Sequence, residues 1–105
     1  MIQKHNNESV KQAIKEHSKV VIRFTAEWCG PCKAFAPSFN EVAAEDTEAY
    51  YLVVDADVNP ELTEEFGVRG LPSVLFFYDG HLIGRIAGNM SAQTFRQKVK
   101  EQFNR

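Results

Sequence analysis

The chain has 105 residues and a hydrophobic content of 44%, so it is long enough to form one domain whose core needs no metal or disulfide support. Its 12 Lys and Arg residues against 14 Asp and Glu residues give a net charge of -2 without a basic block, which argues against nucleic acid as a direct partner. Met1 to Val10 is polar, and the longest apolar run, Val74 to Tyr78, is far too short to span a bilayer. We therefore expect a cytoplasmic protein with no membrane partner.

Apolar residues alternate between strand-like and helix-like spacing along the chain, without a repeat or a linker. The pattern allows a short strand around Ile2 to His5 and then predicts a helix that ends near Ser18, with Asn6 or Asn7 as its N-cap. Val20 to Phe24 is rich in β-branched and aromatic residues, which predicts a strand buried on both faces.

The middle of the chain predicts a helix, a strand and a short helix. The first of these begins around Cys32, and Pro37 predicts a kink in it because proline removes a backbone donor. Tyr51 to Val54 has the composition of a strand. Asn59 as a cap and Pro60 at the first helical position then mark the start of the next helix.

The last part of the chain predicts a hairpin and a closing helix. Val74 to Tyr78 and Leu82 to Ala87 are joined by Asp79-Gly80, a turn signal that makes the two strands antiparallel. Ser91 is the expected N-cap of a helix whose apolar residues fall four positions apart. Together the elements predict one layered α/β domain.

The two cysteines are separated by only two residues. A disulfide that closes so short a loop constrains the unfolded chain very little, so we interpret the pair as redox chemistry. Cys29 lies at the end of a loop and the start of a helix, where unpaired N–H groups and the helix dipole favour its thiolate. Cys32, one turn later, can attack the mixed disulfide that Cys29 forms with a substrate sulfur. Gly30 permits close backbone approach and Pro31 limits the freedom of the loop.

The alternative for this pair is half of a zinc site, which would need two more ligands at a suitable spacing. The chain has no second cysteine pair, and His5, His17 and His81 are scattered singly. We therefore expect no metal and no bound cofactor, and we expect the histidines to lie at the surface.

Four blocks of residues and one glycine add to this interpretation. They are Ala26-Glu27-Trp28-Cys29-Gly30-Pro31-Cys32-Lys33, Ala36-Pro37, Asp57-Val58-Asn59-Pro60, Gly70-Leu71-Pro72-Ser73 and Gly88. Their order and approximate spacing resemble those of the thioredoxin family over nearly the whole chain. The resemblance implies a thioredoxin fold over residues 1–105, with a central mixed β-sheet of about five strands flanked by about four helices.

The resemblance also implies an activity and its partners. A protein-disulfide reductase of this type has a redox-active disulfide, here Cys29-Cys32, and acts on the disulfides of other proteins. Its dithiol is restored by an NADPH-dependent thioredoxin reductase. We expect the chain to work as a monomer.

A substrate groove beside the cysteines is a further implication of the resemblance. Pro72 would stand in a cis peptide bond that faces the cysteines, where the alternative is an ordinary trans turn. Leu71 would offer its backbone to an extended substrate strand. Trp28 and Gly88 would shape the surface around the site. The alternative for Trp28 is a half-buried aromatic plug, and for Gly88 it is a backbone requirement after the last strand.

Arg23 departs from the family pattern, because thioredoxins normally carry a buried Asp at this position and often a Lys at the position of Val53. In one interpretation Arg23 extends to water or pairs with an acid such as Glu27. In the other, its guanidinium favours the thiolate of Cys32, stabilises the reduced form and makes the protein more oxidising than ordinary thioredoxins.

Two functions from different classes follow from the sequence. The first is thiol-disulfide exchange through Cys29 and Cys32. The second is a redox-independent binding module or accessory subunit, whose partner uses the groove without electron transfer. We favour the oxidoreductase because a binding role would not require both thiols at this spacing.

Overall fold

A computed structural model of the chain describes residues 7–104, apart from the side chain of Asn7. The expected strand at Ile2 to His5 and the expected cap Asn6 lie outside this range, and Asn7 is the first residue of the first helix. The elements in chain order are α1 (Asn7–Glu16), β1 (Lys19–Thr25), α2 (Gly30–Glu45), β2 (Tyr50–Asp55), α3 (Pro60–Glu65), β3 (Ser73–Tyr78), β4 (His81–Ala87) and α4 (Ala92–Phe103).

The sheet is mixed and has the strand order β2-β1-β3-β4. Strand β1 pairs in parallel with β2 and antiparallel with β3, and β3 pairs antiparallel with β4. The predicted α/β class, mixed sheet and four helices are therefore confirmed. The described residues contain four strands rather than about five, since the segment expected to form a further strand lies before residue 7.

Both faces of β1 are buried from Val20 to Phe24, which explains why this part of the strand is apolar except for Arg23. Val20, Ile22 and Phe24 belong to one core cluster, which includes Val10 of α1 and Leu62 of α3. The other cluster joins the opposite face of the sheet to α2 and α4. Its buried members are Val21, Phe35, Phe39, Val42, Tyr51, Val53, Val74, Phe76, Phe95 and Val99.

Local signals placed most of the element ends correctly. The hydroxyl of Ser91 accepts a hydrogen bond from the backbone N–H of Thr94 at 3.1 Å, so it caps α4 as predicted. Asp79 and Gly80 have φ angles of 48° and 85°, the combination that a tight antiparallel hairpin requires. Helix α2 begins at Gly30 and continues through the exposed Pro37.

The cap of α3 differs from its prediction. Asn59 occupies the N-cap position, but its side chain makes no capping bond. Its amide instead donates to the backbone oxygen of Asp55 at 3.0 Å, which ties α3 back to the end of β2. Within residues 7–104, no helix is both long enough and apolar enough to cross a bilayer.

Candidate active site

The sheet topology gathers several loops at one edge. Because β1 and β2 are parallel, their carboxyl ends at Thr25 and Asp55 are neighbours in the register. Strand β3 runs in the opposite direction and begins at this same edge, where Ser73 pairs with Phe24. The loop before α2, the loop before α3 and the Leu71-Pro72 segment therefore converge, although they are far apart in the sequence.

Cys29 and Cys32 are joined by a disulfide at the start of α2, with their Cα atoms 5.3 Å apart. Cys29 is the N-cap, and its sulfur accepts a hydrogen bond from the backbone N–H of Cys32 at 3.2 Å. Gly30 and Pro31 are the first two residues of the helix and are exposed. A Cβ added to Gly30 would meet no atom within 4 Å, so a partner's backbone has space to approach there.

Both cysteines are buried: Cys32 has no exposed surface, and Cys29 retains 3% exposure. Cys29 is the residue at the N-terminus of α2, where unpaired backbone N–H groups and the helix dipole favour negative charge.

The Leu71-Pro72 peptide bond is cis, as the resemblance implied. Leu71 packs against the small apolar cluster formed by Ala26 and the two cysteines. The backbone N–H of Gly88 donates to the Pro72 oxygen at 3.0 Å, so this loop also meets the end of β4. Gly88 has a φ of 92°, a backbone conformation that favours glycine. This supports the alternative interpretation, in which the backbone after the last strand requires a glycine. A Cβ built there meets no atom within 4 Å.

Trp28 is 71% exposed. The alternative interpretation of this residue, a half-buried aromatic plug, is therefore wrong. Its indole N–H donates to the Oδ2 of Asp57 at 2.7 Å. The role of Asp57 was missed at the sequence level. The available signal was Asp55-Ala56-Asp57 at the carboxyl end of a strand parallel to β1, which places polar side chains beside the loop that carries Trp28.

Asp55 organises the loop that presents Asp57. Its Oδ1 accepts backbone hydrogen bonds from Asp57 at 2.9 Å and from Val58 at 3.3 Å. Asp55 itself is buried at the end of β2, whereas Val58 is 74% exposed. The buried Asp55 therefore fixes the backbone of this loop, while the side chain of Val58 faces solvent. The sequence alone did not predict this arrangement.

Arg23 is buried, with 7% exposure, and its Nε has no hydrogen-bond partner. Its guanidinium carbon lies 5.1 Å from the centre of the Phe39 ring, on the face of the sheet that α2 covers. Burial lowers the pKa of this guanidinium. Within residues 7–104 no ion pair includes Arg23, and Glu27 is exposed, so the expected pairing with Glu27 is not formed.

Other candidate ligands do not converge on the cysteines. His17 and His81 are exposed, and His17 stacks on Tyr50 with ring centres 4.0 Å apart, at the opposite end of β2. His5 lies outside the described residues. Across the described part of the chain, no group of three or more His, Cys, Asp or Glu side chains is arranged to hold a metal ion.

Comparisons with known proteins identify the family and match the fold. The thioredoxin family model matches residues 1–101. A thioredoxin of Mycoplasmoides gallisepticum is 34% identical over 95 residues, which cover 90% of this chain and 95% of the relative. Thioredoxin 1 of Chlorobaculum tepidum is 41% identical over 81 residues, with 76% and 80% covered. The oxidized form of mitochondrial thioredoxin 3 from Saccharomyces cerevisiae superposes with a TM-score of 0.88 at 31% identity, covering 95% of this chain and 94% of that chain.

Proposed function

We propose that this chain, which belongs to the thioredoxin family and is a thiol-disulfide oxidoreductase, reduces or exchanges the disulfides of other proteins through a mixed disulfide at Cys29. The observation that carries the proposal is the Cys29-Cys32 disulfide at the N-terminus of α2, with Cys29 as the N-cap of the helix. Backbone N–H groups at that terminus stabilise negative charge on Cys29, and the thiolate is the attacking species.

The exchange proceeds in two successive displacements, each of which is the attack of a thiolate on a disulfide sulfur. The Cys29 thiolate attacks one substrate sulfur, which forms a mixed disulfide and releases the other substrate sulfur as a thiolate that takes up a proton. Cys32, one helical turn away, loses its proton and attacks the Cys29 sulfur. This step forms the Cys29-Cys32 disulfide and releases the second substrate thiol. Two electrons have then passed from the chain's dithiol to the substrate.

Four residues around the pair are proposed to contact the substrate. Leu71 packs against the cysteines, and its backbone precedes Pro72 at the edge where an extended segment could lie. Gly88 is bonded to Pro72 and lacks a side chain that would project over the groove. Trp28 presents an exposed ring on the other flank of Cys29. This placement supports binding by backbone pairing and apolar contact rather than by a deep pocket.

Arg23 is proposed to make the pair more oxidising. The disulfide is neutral and the dithiol carries a thiolate, so a buried cation stabilises the reduced form. Phe39, which the guanidinium contacts, follows Cys32 by seven residues on α2, a distance of about 10 Å along the helix axis. The Nε of Arg23 has no hydrogen-bond partner, and no carboxylate among the described residues forms an ion pair with its charge.

The partners and setting follow from the same proposal. A separate NADPH-dependent thioredoxin reductase would restore the dithiol, so this chain itself needs no bound cofactor. A monomeric single domain over residues 1–105 and a cytoplasmic location stay predictions. No metal takes part in the proposed exchange.

The test uses single and double cysteine variants. Cys32→Ser should trap a mixed disulfide with protein substrates, Cys29→Ser should trap none, and reductase-coupled consumption of NADPH should require both thiols. The Cys29→Ser, Cys32→Ser double variant separates the two functional classes. If it retains the partner and the biological effect of the unmodified chain, the protein is a redox-independent binding module and the proposal fails.

A further inference from the structure

Two apolar side chains near the active site are strongly exposed: Trp28 directly precedes the reactive cysteine, and Val58 directly follows the aspartate that binds the Trp28 indole. Val58 has no role in the exchange described above. Trp28 is 71% exposed and Val58 is 74% exposed. The hydrogen bond of 2.7 Å from the Trp28 indole to Asp57 brings the indole to the residue that directly precedes Val58. We define these two side chains as the Trp28-Val58 surface.

This surface is held in place before any substrate arrives. Asp57 fixes the indole from one side, and Asp55 fixes the backbone of both Asp57 and Val58 through its Oδ1. An apolar surface that is already ordered loses little conformational entropy on binding. Single exposed aliphatic side chains are common on protein surfaces. Val58, however, lies in the loop that binds the indole of an exposed tryptophan next to the reactive cysteine, where the substrate chain that presents the reacting sulfur must lie.

The acidic residues that follow Val58 in the chain indicate which side chains a bound substrate segment would carry next to its apolar residue. Helix α3 starts two residues after Val58 and contains Glu61, Glu64 and Glu65 but no basic residue. Lys11 pairs with Glu65 at 2.9 Å. Glu61 and Glu64 are exposed and belong to no ion pair within residues 7–104. The rim next to the Trp28-Val58 surface is therefore acidic.

We infer that Val58 is a specificity-determining residue, which with Trp28 binds substrate segments that carry an apolar side chain next to the reacting cysteine and basic side chains beyond it. The inference rests on the proposed function, because the occupant is a disulfide substrate positioned at Cys29. Burying one exposed valine against such a side chain corresponds to about tenfold in rate constant when the contact forms before the transition state. The acidic rim adds a preference that weakens with salt.

The test compares two disulfide-bonded peptides, one with Leu next to its cysteine and Lys beyond, the other with Ser and Glu at those positions. Their reduction by the dithiol form is followed through Trp28, the only tryptophan of the chain. Val58→Asp should slow reduction of the Leu/Lys peptide about tenfold. Reduction of bis(2-hydroxyethyl) disulfide, which is too small to reach Val58, should not change.

A matched control is available at the other end of the sheet. Leu82 is also an exposed large apolar residue, and it lies in the hairpin end of β4 away from Cys29. Leu82→Asp adds the same charge and should change neither rate. Val58→Thr, which keeps the side-chain shape, should give a smaller loss than Val58→Asp, and Glu61→Gln combined with Glu64→Gln should reduce the preference for Lys at low salt.

The outcomes separate this inference from the function on which it rests. If the unmodified chain reduces none of the disulfides, the proposed function fails. If it reduces both peptides at equal rates, or if Val58→Asp slows the small disulfide as much as the peptide, the function stands and the inference is overturned. A concentration-dependent dimer in sedimentation that Val58→Asp abolishes would assign the surface to a second copy of the chain and would also overturn it.

Discussion

Replacing Arg23 by Met should make the Cys29-Cys32 pair a stronger reductant. Methionine keeps an unbranched apolar side chain of similar length against Phe39 and removes the charge. The reduced form then loses a stabilising interaction that the neutral disulfide never had. The equilibrium reduction potential of the Cys29-Cys32 pair should therefore become more negative.

The size of the shift is estimated from the rise of about 10 Å along α2 between Cys32 and Phe39, taken as the scale of the separation between guanidinium and thiolate. Two unit charges about 10 Å apart interact by about 1.7 kcal/mol at an effective dielectric constant of 20, which for a two-electron couple corresponds to about 35 mV. Because Arg23 is 7% exposed, added salt should reduce the shift only slightly. Arg23→Asp reverses the charge and should move the potential further in the same direction.

The assay is equilibration of each variant with a glutathione redox buffer, with the oxidised fraction read from Trp28 fluorescence. Arg96→Met is the matched control, since Arg96 is a cation that pairs with Glu41 and Glu45 on the outer side of α2. It should leave the potential unchanged. Arg23→Met should keep or raise the free energy of unfolding, because it removes a buried Nε without a partner. A potential within a few millivolts of the unmodified chain, or an equal shift for Arg96→Met, would refute the electrostatic coupling.

Three further outcomes are expected. Asp57→Ala removes the hydrogen bond to Trp28, so the fluorescence anisotropy of the indole should fall and protein disulfides should be reduced several-fold more slowly, while small disulfides react as before. Burial and a hydrogen bond to Asp46 raise the pKa of Tyr51 above its ordinary value of 10.0, so the folded state keeps a proton that the unfolded state loses. Stability should therefore fall above about pH 10 by up to about 1.4 kcal/mol per pH unit, and Tyr51→Phe should remove this part of the alkaline slope in urea titrations. Ser91→Ala should lower the free energy of unfolding by about 1 kcal/mol through loss of the α4 cap, without changing the redox potential.

Features that depend on neighbouring residues could be predicted from the sequence. Cys29 and Cys32 are three positions apart, so one helical turn suffices to bring them together. The positive φ angles of Asp79 and Gly80 and the cap at Ser91 also follow from short-range chemistry that is written in a few consecutive residues. The cis bond before Pro72 was expected only through the family resemblance, because X-Pro bonds are mostly trans.

Long-range pairings could not be predicted in this way. Trp28 and Asp57 are 29 residues apart, and they meet because β1 and β2 are parallel and end at the same edge of the sheet. Asn59 was expected to cap α3, yet the end of β2 offers its amide a backbone oxygen instead. In each case the hydrogen-bond partner belongs to another element of the fold, so the residues next to Trp28 or Asn59 in the chain could not predict it.

The sequence by itself determined the redox pair, the order of the elements and the alternation that buries both faces of the sheet, because these depend on residue type and on spacing within single elements. The tertiary structure alone decided that Arg23 lies against Phe39 with its Nε unpartnered, and that an exposed Val58 follows the aspartate that binds the Trp28 indole. The physical reason is that a side chain's partners and its exposure depend on the register and packing of elements that are distant in the chain, and these are established only when the sheet and its two helical layers assemble.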